Sequence, residues 1–208
     1  MSLIKKRWWF LGLLLPGLMG CVSFHLPTSA PPVYYQLDYQ SPSVHCPCPF
    51  AEGLRVWKFT SSSPYGRTDM VVLKPDGQIQ FSSTFQWIAP PGTMVAEKLL
   101  RDLTMNRLFP QVVSSNDPAT VPLELSGHVF LFASERSGAI SRAALHVEVS
   151  LIDNTKPRKV ILHREYDLRS APFMENTSAA FARAMSTVMR ELSERFQRDL
   201  CSTLTSRR

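Results

Sequence analysis

The sequence predicts a single α+β domain, an antiparallel sheet of about six strands with two helices packed on one face. The first observation is the order of the elements, β-β-β-α-β-β-β-α, in which each run of strands is closed by a helix. The second is the lack of any internal repeat with a period of roughly 20–50 residues. The third is composition, because a chain of 208 residues that is 44% apolar and 19% charged is too apolar to be disordered.

The first twenty residues carry the three regions of an export signal. Lys5-Lys6-Arg7 forms a positively charged start, and the thirteen residues Trp8–Gly20 are apolar. Thirteen helical residues span about 20 Å, which is short of the roughly 30 Å hydrocarbon core, and Pro16 interrupts the run. We therefore expect residues 1–20 to be a cleaved signal peptide and not a transmembrane anchor.

Cys21 occupies the position that follows signal cleavage. Leu18 at −3, Gly20 at −1 and Cys21 at +1 resemble the lipobox of bacterial lipoproteins, in which the cysteine thiol receives diacylglycerol and the freed amine is acylated. We expect Cys21 to be lipidated, and the alternative is an ordinary signal peptide with a chance cysteine. Each buried CH₂ of an acyl chain contributes about 0.8 kcal/mol, so three chains would anchor the protein permanently. Val22-Ser23 follows in place of the aspartate that retains lipoproteins in the inner membrane, which predicts the outer membrane.

The mature chain is expected to be a tether followed by one periplasmic domain. Residues 21–32 contain Pro and Ser without periodicity, which is typical of a tether, and the domain takes residues 33–208. The formal net charge of +6 includes three basic residues of the signal. The remaining 20 basic and 17 acidic residues leave +3, so charge does not indicate a nucleic-acid partner.

Three cysteines remain if Cys21 is lipidated, namely Cys46, Cys48 and Cys201. The periplasm permits disulfides, so we expect Cys201 to pair with Cys46 or with Cys48, and the sequence does not decide between them. A metal site built on His45 and the two neighbouring cysteines is an alternative, although zinc sites favour a Cys-x₂₋₄-Cys spacing. Free thiols are a further alternative.

Alternating apolar residues predict the first strands. Strands are expected at 33–39, 54–59, 68–73 and 78–87. Pro75-Asp76-Gly77 separates the last two, and because Pro fixes φ and Gly supplies a positive φ, we expect a hairpin there. In the strand at 54–59, Trp57 and Phe59 share one face and Leu54 and Val56 the other.

Helical periodicity predicts the first helix. Val95, Leu99 and Leu103 follow helical spacing up to Leu108, and the other side of this helix holds Lys98, Arg101 and Asp102. Thr93 is the expected N-cap, and Phe109-Pro110 is the expected stop.

Strands follow at 123–133, 140–152 and 160–168, after a short strand at 111–114. In the middle strand, residues at every second position are apolar, which predicts one core face and one wetter face. A long helix over 177–204 closes the chain. It buries a stripe of apolar residues at helical spacing: Phe181, Met185, Val188, Leu192, Phe196 and Leu200.

No catalytic or cofactor motif is found. The sequence has no Gly-rich phosphate loop, G-x-S-x-G, H-E-x-x-H or EF-hand pattern, so we expect neither an enzyme nor a bound cofactor or metal. His146 and His163 lie on neighbouring strands and could approach each other, although such pairs on a wet face are mostly solvated. Apolar residues, many of them aromatic, are the most prominent side chains outside these motifs. Most aromatic residues fill a core, and four are candidates for contact with a partner or a lipid: Trp57, Phe59, Tyr65 and Trp87.

The order of these elements resembles a known family. The lipobox at Cys21 is followed by Tyr34-Tyr35-x-Leu37, Leu54-x-Val56, a hairpin, Trp87 and Pro90, Leu99-Leu100-x-x-Leu103 and an Ala-rich closing helix. This order, over residues 33–204, is similar to that of the ABC-type transport auxiliary lipoproteins, which include the paraquat-inducible protein C group.

The resemblance implies a non-enzymatic lipoprotein of the outer membrane, facing the periplasm, that serves intermembrane lipid transport. Its implied partners are a mammalian-cell-entry-domain conduit protein, ABC transporter subunits that hydrolyse ATP, and phospholipid as a candidate ligand. A homo-oligomer would match a ring-shaped conduit. The alternatives are a structural or assembly lipoprotein of the outer membrane without a transport role, and an exported hydrolase whose site is unrecognised.

Overall fold

The computed structural model describes residues 31–47 and 49–205. Two helices and nine strands are found in these ranges. The helices are α1 (Pro91–Met105) and α2 (Ser178–Thr205). The strands are β1 (Val33–Tyr35), β2 (Leu54–Val56), β3 (Thr60–Ser61), β4 (Asp69–Leu73), β5 (Ile79–Trp87), β6 (Val112–Ser114), β7 (Leu123–Ser137), β8 (Ile140–Asp153) and β9 (Lys159–Arg169).

Three long strands form the regular half of the sheet. β7, β8 and β9 are antiparallel neighbours, with Phe132 opposite Leu145 and Leu145 opposite Leu168. Their alternation predicted them to within four residues at each end. The hairpin predicted at Pro75-Asp76-Gly77 is also present, since β4 and β5 are antiparallel and Gly77 has a φ of +81°.

The other edge of β7 is covered by three short strands placed end to end. β2, β3 and β4 all run parallel to β7, and they lie opposite residues 123–125, 128–129 and 134–135. β6 pairs with β2 and β1 pairs with β5, again in parallel. The expected antiparallel sheet of six strands is therefore wrong, because the sheet is mixed and nine strands are described. The physical reason is the crossover through α1, which returns the chain to β7 in the direction of β2, β3 and β4.

Both helices pack on one face of this sheet. The predicted apolar stripe of α2 is buried, from Phe181 at 3% exposure to Leu200 at 1%. It meets the inward residues of β8, including Leu145, Val147 and Val149, each fully buried. Neither helix in the described ranges combines the length and the apolar composition that crossing a membrane requires.

The start of α1 differs from the prediction. The helix begins at Pro91 with Pro90 as N-cap residue, and Thr93 lies inside it, so no side chain caps this end. Pro suits the first helical position because its φ is already helical and its missing N–H would have no partner there. The helix ends at Met105, three residues before the expected Leu108. α2 begins at Ser178, one residue after the expected start at 177. Thr177 accepts a hydrogen bond from the Ala180 amide at 3.1 Å through its Oγ1.

Candidate functional site

Three of the four candidate contact residues are core residues in this structure. Trp87 is fully buried and its ring meets those of Phe132 and Phe181, with centroids 5.2 Å and 5.4 Å away. Phe59 is 5% exposed and Tyr65 is 7% exposed. These three side chains shape the core and present almost no area to a partner.

Trp57 is on the surface. It is 40% exposed, and the guanidinium carbon of Arg55 lies 5.7 Å from its ring centroid. Arg55 donates hydrogen bonds to the carbonyls of Ser114 at 2.9 Å and Asp117 at 2.8 Å. These bonds hold the guanidinium in place, so Trp57 stands beside a fixed cation at the end of β2.

A second exposed aromatic residue lies on the face of the sheet that carries no helix. Phe130, 37% exposed, sits where β7 departs from regular register. Its ring lies between His128 and His146, with centroids 4.7 Å and 4.9 Å away. Hydroxyls fix His128 on both sides, since Nδ1 is 2.6 Å from Thr60 Oγ1 and Nε2 is 2.8 Å from Ser62 Oγ.

The structure does not bring His146 and His163 together. His146 lies opposite Asp167 and His163 lies opposite Ser150, so three residues of β8 lie between the two positions. Each imidazole has its own carboxylate, Glu165 for His146 and Glu148 for His163, the latter at 4.0 Å. The two histidines therefore have separate carboxylate partners and do not form a pair with each other.

Asp102 is the residue that sequence reasoning placed wrongly. It was assigned to the polar side of its helix, yet it is fully buried. Tyr39 and Ser193 donate to its Oδ2 at 2.7 Å and 2.6 Å, and Arg101 Nε donates to its Oδ1 at 2.8 Å. Its spacing of three residues from Leu99 was the signal for a position at the edge of the apolar stripe.

This network continues into a chain of amides. Gln197 donates to Ser193 Oγ at 3.0 Å, and Asn106 Nδ2 lies 2.7 Å from the Gln197 side-chain oxygen and 2.8 Å from the Pro42 carbonyl. Burial, and next the charge of Asp102, raises the pKa of Tyr39 above its ordinary range. The network ties the segment 36–47 to α1 and α2, and we call it the Asp102 network.

A disulfide joins the same segment to the end of α2. It connects Cys46 with Cys201, whose Cα atoms are 5.5 Å apart across 155 residues of sequence. This is one of the two pairings that the sequence left open. Cys48 and Cys21 lie outside the described residues. Because Cys46 is bonded to Cys201, it is not a metal ligand here, and the described ranges hold no group of three acidic, His or Cys side chains suited to a metal.

Comparison with known proteins identifies similar sequences and similar folds. The family model of the ABC-type transport auxiliary lipoprotein component matches residues 65–196. No curated protein matches the chain. A crystal structure of a Xanthomonas campestris protein of the DUF330 family is 16% identical, with a TM-score of 0.70 over 84% of this chain and 98% of that one.

Two further solved structures are similar at low identity. An uncharacterized protein is 15% identical, with a TM-score of 0.61 over 82% of this chain and 99% of its own. A hypothetical protein from Chlamydia trachomatis is 7% identical, with a TM-score of 0.47 over 76% of this chain and 99% of its own. The first two likenesses support the fold described above.

Proposed function

The chain belongs to the ABC-type transport auxiliary lipoprotein family, and from that premise we propose that it is a non-catalytic, outer-membrane-anchored component of an intermembrane lipid transport system. In this proposal the domain faces the periplasm and docks a mammalian-cell-entry-type conduit protein to the outer membrane. ABC transporter subunits hydrolyse the ATP. The observation that carries the proposal is the family match, which runs from Tyr65, ahead of β4, to Phe196 in α2.

The anchor in this proposal is Cys21. Residues 1–20 are removed as the signal peptide, residues 21–32 carry the acyl chains and act as the tether, and residues 33–208 form the periplasmic domain. A domain that holds a conduit at a membrane needs the segment that follows its tether to be fixed firmly to the rest of the domain. The Asp102 network and the disulfide of Cys46 suit that role, because together they fix the segment after the tether to both helices.

The contact surface proposed for the conduit includes Trp57. Of the four aromatic candidates, Trp57 has the exposed ring, and its neighbour Arg55 adds a held cation. Tryptophan and arginine are the residue types that contribute most to protein interfaces when they are buried by a partner.

The proposal is tested by photo-crosslinking from single positions in intact cells. A photoreactive amino acid at position 57 should give an adduct with a mammalian-cell-entry-domain protein. Position 105 is the matched control, because Met105 is 63% exposed at the end of α1 and is not part of the proposed surface.

Adducts from position 57 with only outer-membrane or envelope-scaffold proteins would contradict the proposal. That result would favour the alternative of a structural or assembly lipoprotein. Equal yields of the conduit adduct from positions 57 and 105 would mean that Trp57 does not mark the contact surface.

A further inference from the structure

Two hairpin turns project from the same end of the sheet. One is the β4–β5 turn around Pro75-Asp76-Gly77, and the other is the β7–β8 turn between Ser137 and Ile140. β4 runs parallel to β7 with Leu73 opposite Glu135, so both strands reach their turns together. We call this part of the domain the two-turn end. The β8–β9 turn, at residues 154–158, lies at the opposite end because β8 is antiparallel to β7.

The chain enters the domain from the side of the two-turn end. β1 is parallel to β5, with Val33 opposite Phe85, and β5 begins at Ile79, directly after its turn. The distance from Phe85 back to Ile79 is about 20 Å at about 3.3 Å per residue. A tether from Cys21 to Val33 can extend to about 40 Å. A fully extended tether is therefore long enough for an anchor at Cys21 to lie beyond the two-turn end.

Between the two turns lies a cleft of about 450 Å³. Its apolar lining includes Leu73 and Ile140, and three cationic residues, Lys74, Arg136 and Arg142, also line it. In the described part of the chain none of these three forms an ion pair, and Lys74 donates a hydrogen bond to the Gln78 side chain at 3.2 Å. Glu135 also lines the cleft, and it pairs with Arg169 at 2.8 Å, which is shared with Asp167. The cationic residues of the lining still outnumber its one carboxylate. The buried Nε of Arg136 has no hydrogen-bond partner. The cleft thus offers positive charge to an anion.

Apolar side chains stand exposed beside this cleft. Ile79 is 42% exposed, Ile140 is 46% exposed and Phe81 is 48% exposed. A rim that combines exposed apolar side chains with lysine and arginine suits the interface of a bilayer. There, the apolar side chains contact lipid acyl chains and the cationic side chains contact lipid phosphates.

We propose that the two-turn end lies on the bilayer that carries the anchor, and that its cleft binds the phosphate group of an anionic phospholipid of that bilayer. Lys74, Arg136 and Arg142 supply the positive charge that attracts the phosphate group. Ile79 and Ile140 enter the region of the headgroups. This inference rests on the proposed anchoring of Cys21, and it does not depend on which protein the domain docks.

Hydrogen exchange of the acylated full chain tests the inference. The protein is reconstituted into vesicles of phosphatidylethanolamine and phosphatidylglycerol, and separately into vesicles of phosphatidylcholine. Amides of residues 74, 76–79 and 137–141 should exchange at least about fivefold more slowly in the first vesicles, because fivefold is the effect expected of each engaged cation. Addition of inorganic phosphate to the phosphatidylcholine vesicles is a separate arm of the experiment.

Matched charge variants supply the control. Arg136→Gln with Arg142→Gln should abolish the slowing. Lys156→Gln with Lys159→Gln removes the same amount of charge at the opposite end of the sheet and should leave the slowing of exchange unchanged. If the first variant fails to fold, Lys74→Gln with Arg142→Gln replaces it, since Lys74 is only partly buried and Arg142 is exposed.

Equal exchange in both kinds of vesicle, or slowing confined to residues 154–158, would overturn the inference. Slowing by inorganic phosphate alone, equal to that by phosphatidylglycerol, would identify a free-phosphate site and overturn the assignment to lipid. Acylation is established beforehand from the intact mass. An unacylated precursor would therefore count against the proposed anchoring, and the exchange result would count for or against the cleft.

Discussion

At the scale of single residues, Asp102 is the polar side chain on which the packing of α1 against α2 depends. A buried carboxylate is costly unless hydrogen bonds and a counter-charge compensate it. Tyr39, Ser193 and Arg101 provide that compensation from three parts of the chain. Removal of the carboxylate leaves two hydroxyls and a guanidinium without their shared acceptor.

We therefore expect Asp102→Ala to lower the free energy of unfolding by about 3 kcal/mol. Glu97→Ala is the control on the same helix, because Glu97 is exposed, and it should change stability by less than about 0.5 kcal/mol. Urea denaturation of both variants measures the difference. Similar midpoints for the two variants would show that the Asp102 network adds no net stability.

Two buried tyrosines predict a loss of stability in alkali. Burial raises the pKa of Tyr39 and of Tyr166, and the acceptors Asp102 and Asp199 raise both further. The folded state therefore holds these protons more tightly than the unfolded state, whose tyrosines titrate near pH 10. Their contribution is complete below about pH 10 and decreases as the pH rises toward the folded pKa values, by about 1.4 kcal/mol per pH unit for each tyrosine.

The measurement is urea denaturation between about pH 9 and 11.5, which spans the onset of tyrosine titration. Tyr39→Phe with Tyr166→Phe should flatten the dependence of stability on pH above about pH 10. Tyr34→Phe is the control, because Tyr34 is 54% exposed, and it should keep the slope of the wild type. An unchanged slope in the double variant would contradict the assignment.

Strand alternation at 54–59 illustrates how far single residues could be predicted. Leu54 and Val56 face the core as expected, at 0% and 3% exposure. The alternation placed Trp57 and Phe59 together, yet Trp57 is exposed and Phe59 is buried. β2 ends at Val56, so the two-residue period no longer holds beyond it. The burial of Phe59 depends on Gly127 of β7, where a Cβ would lie 2.4 Å from the Phe59 ring, and no local pattern contains that contact.

At the scale of elements, the disulfide links the segment before β2 to the last turns of α2. Closing a loop of 155 residues lowers the conformational entropy of the unfolded chain. In the chain-entropy model this raises the free energy of unfolding by about 5 kcal/mol. Cys201→Ser should therefore destabilise the oxidised protein by several kcal/mol, and urea denaturation checks this. Cys48→Ser is the matched control and should keep the wild-type stability. Equal losses in the two variants would indicate that Cys48 takes part in the pairing.

Elements with a long internal pattern were predicted well, and elements defined by distant contacts were not. β7, β8, β9 and α2 each contain several periods of apolar residues, which fix their type and approximate ends. β3 has two residues and exists because Thr60 and Ser61 lie opposite His128 and Val129. The parallel direction of β2, β3 and β4 is likewise set by their pairing with β7, which is distant in sequence. The sequence of each short strand does not indicate this direction.

At the scale of the whole molecule, the proposed function requires an acyl anchor and a docking domain in one chain. The anchor itself is tested by Cys21→Ser in cells labelled with palmitate. The variant should remain an unprocessed precursor without label, because the lipidated thiol is the substrate that signal cleavage requires in lipoproteins. Cys48→Ser should be processed and labelled as the wild type. Normal labelling of the Cys21 variant would contradict the proposed anchor.

The central claim is that the domain docks a lipid conduit, and its most direct test is crosslinking in intact cells followed by isolation of the acylated protein and mass spectrometry of its partners. We expect recovery of a mammalian-cell-entry-domain protein or an ABC transporter subunit, with a lower yield from a Trp57→Ala strain. Recovery of only outer-membrane or envelope-scaffold proteins would contradict the account and favour a structural lipoprotein.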